Sequence, residues 1–292
     1  MAYEFILYKK EDGAAIITMN RPEELNAWRG MMKAEMADAL DDAGGDPDVW
    51  GVIFTGAGRA FGPGASTRFR TGLVPGRPGS EWADLPDRPG MWFPDDDERA
   101  LLGLSHDTDR LIDRLLLFDK PSIAAINGVV AGSHISFACV CDIRIASDQA
   151  RFRMAFTRVG HVPDVGLSYW LPKIVGLGHA LELSYTNDFI DAKEMERIGL
   201  VNHVVPHDEL IPYCKDMIKR MKQIPPSVLF ATKRVMRTCV EATAKDHAEK
   251  VLYEEISRGL IQPEEREEAR KSYMERRDPV YKGRGIKTRV RW

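Results

Sequence analysis

The chain has 292 residues, of which 44% are hydrophobic and 29% charged, enough to bury one substantial core. A formal net charge of −3 gives no overall pull toward nucleic acid or an anionic membrane surface. No stretch is long and apolar enough to span a bilayer, the first residues lack the basic-then-apolar order of a secretory leader, and the four cysteines have no zinc-ribbon spacing. The expectation is a soluble, cytoplasmic protein with reduced thiols, no metal site and no membrane or nucleic-acid partner.

Residues 3 to 9 and 14 to 19 alternate apolar and polar positions around Asp12-Gly13, a dipeptide suited to positive φ, which predicts an opening β-hairpin. Over residues 30 to 42, Met32, Met36 and Leu40 fall on one helical face, and the GGDPD segment ends that helix before the apolar strand WGVIFTG. Leu104, Leu111 and Leu115 keep helical spacing ahead of a second buried strand, SIAAING at 122 to 128. The glycine-bearing AGSHISFACVCDIRIAS follows, with Cys139 and Cys141 in an apolar run as packing residues. Strand and helix alternate, which predicts an α/β fold. Between Ser66 and Glu98, prolines and glycines mix with Trp82, Met91, Trp92 and Phe93, predicting a long loop that is either an active-site flap or a surface insertion. From Asp208 onward the pattern is mostly helical and ends in a basic tail.

Five blocks carry a resemblance when taken in order: NRPEELNA (20 to 27), TGAGRAFGPGAS (55 to 66), KPSIAAINGVVAGSHISFACVCDIRIAS (120 to 147), ARFRMAFTRVGHVPDVG (150 to 166) and LPKIVGLGHALELSYTNDFIDAKEMERIGLVNHVV (171 to 205). Together they resemble the crotonase, or enoyl-CoA hydratase/isomerase, superfamily. The resemblance implies an α/β fold of the crotonase type, a spiral of β-β-α units with a C-terminal helical trimerisation region. The implied organisation is a spiral core over 1–205, carrying the long loop at 66–98, and a C-terminal helical region with basic tail over 206–292. It further implies an acyl-CoA substrate, with coenzyme A entering as part of that substrate and no separate cofactor, and a homotrimer or dimer of trimers.

The family holds a thioester carbonyl in an oxyanion hole of two backbone N–H groups, which the block alignment puts on Ala65, after the Pro63-Gly64 turn, and on Ser133, where AGSH opens a helix. Helix N-termini favour developing negative charge because their first N–H groups lack internal partners. The family usually has glycine at the second position. Two glutamates that serve hydration elsewhere in the family are replaced by Ser136 and Phe156, so ordinary two-glutamate hydration is not expected. Asp164, in GHVPDVG, matches the aspartate of the dienoyl-CoA isomerase and 4-chlorobenzoyl-CoA dehalogenase branches and is the candidate catalytic carboxylate; as a bare sequence feature it reads equally as a turn residue. His134 and His161 are candidate bases, and His134 with Asp164 loosely resembles the pair used by β-diketone hydrolases. The readings left open are an isomerase-like enzyme, a β-dicarbonyl or acyl-CoA hydrolase or dehalogenase-like enzyme, and an inactive CoA-binding protein. The resemblance also places Arg21, Glu24, Leu25 and Ala27 near the CoA nucleotide, with Tyr281 and Lys282 closing over it from a neighbouring subunit.

Overall fold

The computed structural model describes residues 3–28, 30–64, 106–241 and 262–282. Strand β1 (Ile6–Glu11) pairs antiparallel with β2 (Ala14–Met19), and the two residues between them, Asp12 and Gly13, both have positive φ, as a tight two-residue hairpin requires. Helix α1 (Gly30–Gly45) buries Met32, Met36 and Leu40 as their spacing predicts, though it runs through Gly44 and Gly45 before it ends.

Three strand pairs then follow: β3 (Gly51–Gly56) leads into β4 (Ala60–Gly62), β5 (Ser122–Ile126) into β6 (Val129–Ala131), and β7 (Ile143–Ser147) into β8 (Arg151–Arg153). The first strand of each pair joins a six-stranded sheet and the second a four-stranded one, completed by β9 (Ile190–Asp191) and β10 (His203–Val205). The order is β1-β2-β3-β5-β7-β10 in the first sheet and β4-β6-β8-β9 in the second. After each pair the next described helix is, in turn, α2 (His106–Leu117), α3 (Ser133–Val140) and α4 (Leu167–Val175). This repeated β-β-α unit is the architecture the resemblance implies.

Pleating sends successive residues to opposite faces, and both faces of the large sheet are covered. Phe54, Ala124 and Ala146 point to the main core, with α1, α2 and α3. Ile53, Ile123 and Ile145 point the other way, against Leu210, Cys214 and Ile218 of α7 (Leu210–Met221). Along the chain, α5 (Leu177–Thr186) precedes β9 and α6 (Ala192–Arg197) lies between β9 and β10, while α8 (Pro226–Glu241) and α9 (Pro263–Glu275) follow α7. Cys139 and Cys141 are packing residues, buried on or beside α3, and burial pushes their thiols up to about 11 and about 12. Among the described residues no helix is long and apolar enough to cross a membrane.

Two carboxylates fasten helix α8: Asp119 pairs with Arg234 at 2.6 Å, and Asp142 pairs with Lys233 and Arg237. Asp142, at the junction of α3 and β7, accepts from Lys233 Nζ and Arg237 Nη2 at 2.8 Å each, and from the Ser122 amide and hydroxyl at 2.8 Å each. Burial raises its pKa, but the two cations outweigh that and hold it below the ordinary carboxylate value. Removing the carboxylate leaves two buried cations uncompensated, so Asp142→Ala should cost on the order of 3–5 kcal/mol in urea unfolding at neutral pH. A depressed folded-state pKa contributes stability above the unfolded value of about 3.9 and loses it as pH falls through the folded pKa. The difference between wild type and Asp142→Ala should therefore be full at neutral pH and shrink in acid below about pH 4.

Candidate active site

The site forms where the turn after β4 meets the turn after β6. Gly64 (φ +103°) and Gly132 (φ +55°) both occupy conformations that suit glycine, and their backbones touch. A Cβ on Gly132 would stand 3.3 Å from Gly64 Cα and from the Pro63 carbonyl oxygen; one on Gly64 would stand 3.3 Å from the Ser133 nitrogen. Ser133 opens α3, with Gly132 as its cap, so its N–H lies in the first turn, where an α-helix offers no internal acceptor. Ile135 and Ser136 N–H already turn back to the Gly132 carbonyl. Ala65 lies outside the described residues, as does the 66–98 loop; Gly64 is the last described residue before them.

His134 is fully buried beneath these turns. Its Nδ1 accepts a hydrogen bond from the Gly64 N–H at 3.0 Å, which requires a lone pair on Nδ1 and puts the ring proton on Nε2. Nε2 is sealed in the core, where the Asn26 backbone lies close enough to favour a ring proton but not in normal hydrogen-bond geometry. Burial pushes the imidazole well below its ordinary pKa, the nearby Lys33 cation adds to that, and the Asn26 backbone works weakly against it. The ring packs 4.5 Å from Trp28 and 6.2 Å from Phe61, and a Cβ at Gly62 would come within 2.0 Å of it. The Trp28 backbone N–H in turn donates to the Gly64 carbonyl at 3.1 Å, while its indole N–H makes no hydrogen bond.

Asp164 sits above the same helix start. Its backbone carbonyl accepts from the Ser136 hydroxyl at 3.1 Å and from the Leu167 N–H at 2.9 Å, while the residue itself is exposed. The next residue, Val165, has φ 51°, a left-handed conformation that a β-branched side chain adopts only under constraint. Ser136 is buried and Phe156, 5% exposed, belongs to the core. His161 lies exposed in the Asp164 loop. The described part of α2 includes His106, whose side chain lies outside the description.

In the N-terminal loop, Arg21 is 6% exposed and pairs with Glu24 at 2.6 Å. Leu25 and Asn26 both have positive φ, and Ala27 is buried. The central residue is one that sequence reading passed over: Asn26 accepts from the Arg21 N–H at 2.8 Å and donates to the Ala57 and Ala60 carbonyls at 2.9 and 2.7 Å. Asn127 braces the same β3–β4 turn from the other side, accepting from the Gly56 N–H at 3.1 Å and donating to the Gly58 carbonyl at 2.9 Å. An asparagine just past a strand end and before glycine, as in AING, was the available signal. Tyr281 lies 6.4 Å from Trp50 of its own chain, ahead of the first residue of β3 and so at the end of that strand remote from Gly56; Lys282 is exposed.

Comparison with known proteins gives the family. The enoyl-CoA hydratase/isomerase family profile matches residues 9–77 and 99–284. A probable enoyl-CoA hydratase of Mycobacterium bovis is 30% identical over 282 residues, covering 96% of this chain and 99% of that protein. A crotonyl-CoA hydratase of Syntrophomonas wolfei is 36% identical over 222 residues, 76% of each chain. The crystal structure of an enoyl-CoA hydratase subunit from Geobacillus kaustophilus superimposes with a TM-score of 0.80 at 27% identity, covering 97% of this chain and 99% of that one. The two sheets, the repeated β-β-α unit and the matched span together show that the chain belongs to the enoyl-CoA hydratase/isomerase family of enzymes.

Proposed function

We propose that the enzyme binds an acyl-CoA thioester with its carbonyl oxygen between the N–H groups of Ser133 and Ala65, and stabilises the enolate or oxyanion that forms there. The observation that carries this reading is the backbone contact of Gly64 with Gly132 and Ser133 at the start of α3. It brings the residue before Ala65 against one of the proposed donors. Preorganised N–H groups stabilise charge that develops on oxygen without having to reorient during the reaction.

The carboxylate we assign to proton transfer is Asp164. It would take a proton from a carbon activated by the polarised thioester and return it elsewhere on the same acyl chain, as in an isomerase, with no resident cofactor and with CoA present only as part of the substrate. The support is its position over the first turn of α3, where Ser136 holds its backbone. The water-activating role for His134 fits less well, because the lone pair of Nδ1 is already engaged and Nε2 faces the sealed core. We place the enzyme in the cytoplasm, in keeping with the free thiols of Cys139, Cys141 and Cys214. We propose a trimer or dimer of trimers, supported by apolar side chains that α8 and α9 leave exposed: Met236 at 65%, Val240 at 67% and Tyr273 at 83%.

Proline at the first helical position keeps the backbone angle and replaces the N–H with a ring methylene that cannot donate. Ser133→Pro should therefore preserve the fold, lower kcat by ~10²–10³, and abolish the infrared shift of carbonyl-labelled acetyl-CoA on binding. An unchanged shift rejects Ser133 as a donor. Asp164→Asn should retain CoA affinity by calorimetry while turnover across enoyl-, dienoyl- and aroyl-CoA thioesters drops by about 10²–10⁴; full turnover removes it from the chemistry. Met236→Glu should shift the sedimentation coefficient from that of a trimer to that of a monomer.

A further inference from the structure

Helix α3 is eight residues long, and every residue from His134 to Val140 is buried, so close packing makes it one short rod. At a rise of ~1.5 Å per residue it spans about 12 Å. Its first turn carries the Ser133 N–H, and Ser136 ties it to the Asp164 carbonyl at 3.1 Å. Its last turn has no glycine cap: Cys141 follows in an extended conformation (φ −59°, ψ 149°), and the final carbonyls take partners from outside the helix. Two arginines serve there. Arg144, three residues along the chain, donates from Nη1 to the Cys141 carbonyl at 2.9 Å. Arg237, on α8, donates from Nη2 to the Val140 carbonyl at 2.7 Å and to Asp142 Oδ1 at 2.8 Å.

We propose that Arg237 is a positioning residue for the oxyanion hole: from α8 it holds the far end of α3, and through that short rod it fixes the place of the Ser133 N–H. This rests on the oxyanion-hole reading above. Three observations set Arg237 apart from an ordinary ion pair. One of its two acceptors is the backbone of α3 itself, where a cation also suits the negative end of the helix dipole. Lys233, one turn earlier on the same face of α8, instead meets Asp142 and the Lys120 carbonyl ahead of β5. The Nη1 of Arg237 is buried and makes no hydrogen bond, a cost that a guanidinium drawn only to charge would avoid by keeping its head in water. Finally, its guanidinium carbon lies 5.9 Å from the Trp170 ring centroid on α4, the helix that follows the Asp164 loop, so one side chain reaches both helices of the candidate site.

The probe is acetyl-CoA carrying carbon-13 at the carbonyl, read by difference infrared on the full-length protein, alongside calorimetric CoA affinity. In the wild type the carbonyl band should move to lower frequency on binding. Arg237→Met, which keeps an apolar stem and removes both donated bonds, should lose most of that movement and about 10²-fold in kcat, the scale expected for an angstrom-sized misplacement, while CoA affinity holds. Arg237→Lys, which keeps a cation and a donor, should recover part of both. Arg234→Met breaks the other fastening of α8, at Asp119, and should leave the band and kcat at wild-type values. A full shift in Arg237→Met, or an equal loss in Arg234→Met, overturns the role of Arg237 and leaves the oxyanion hole standing. Absence of any shift in the wild type overturns the oxyanion reading and this inference with it. Where Arg237→Met does not fold, hydrogen exchange on the wild type decides, because coupling between two sites is reciprocal. Acetyl-CoA should slow amide exchange in α8 around Arg237 beyond what free CoA does, and exchange that is the same with both ligands overturns the proposal.

Discussion

Where Gly64 meets Gly132, two turns from separate β-β-α units approach so closely that a side chain on either would be crowded, and the rest of the site is arranged around that contact. A Cβ on either residue would press on the other turn at 3.3 Å, and both residues sit at positive φ. Hydrogen bonds that reach across the chain hold the Gly64 turn: its N–H donates to His134 Nδ1 and its carbonyl accepts from the Trp28 backbone N–H, with the start of α3 at Ser133 beside them. Each bond is worth about 1 kcal/mol net, yet each would leave a buried group unsatisfied if lost, which is the larger penalty. The geometry is thus held by the cost of breaking it.

The same logic explains the N-terminal loop. Asn26 and Asn127 approach the β3–β4 turn from opposite sides and satisfy its backbone at residues 56, 57, 58 and 60. A turn of this kind has no ladder partner for its polar groups, and a buried unpaired backbone group is not tolerated. Two side-chain amides, each with both donor and acceptor atoms, supply what a strand would otherwise provide. Within the NRPEELNA segment, the Arg21–Glu24 pair and two consecutive left-handed residues bend the chain so that Asn26 points inward.

Much of the fold was legible because it is written in local periodicity. Met32, Met36 and Leu40 announce the buried face of α1, and Asp12-Gly13 the hairpin, through spacing within a few residues. The glycine turns and the helix start at Ser133 could likewise be located from short motifs. What spacing could not convey is direction. Nothing around His134 says that its ring turns down toward Gly64, 70 residues away in the chain, instead of up toward a substrate. Nor does the RPEE run reveal that Arg21 is turned inward to Glu24, since an arginine near a glycine-rich turn looks the same whether it awaits a phosphate or has already found a carboxylate. Long-range pairing decides both, and it is a property of the folded chain.

The replacement of a glutamate by Ser136 then acquires a structural consequence. The Ser136 hydroxyl donates to the Asp164 carbonyl oxygen, drawing the 160s loop down onto the first turn of α3. A glutamate at that position would set an acceptor against an acceptor and push the loop away, because an ionised carboxylate has no proton to share. Val165 is held at φ 51° immediately after Asp164, a strain the loop sustains only while such contacts hold it in place. Serine at 136 and aspartate at 164 thus form a linked pair. The hydroxyl at 136 and the backbone carbonyl at 164 tie the 160s loop to the helix that Ser133 opens.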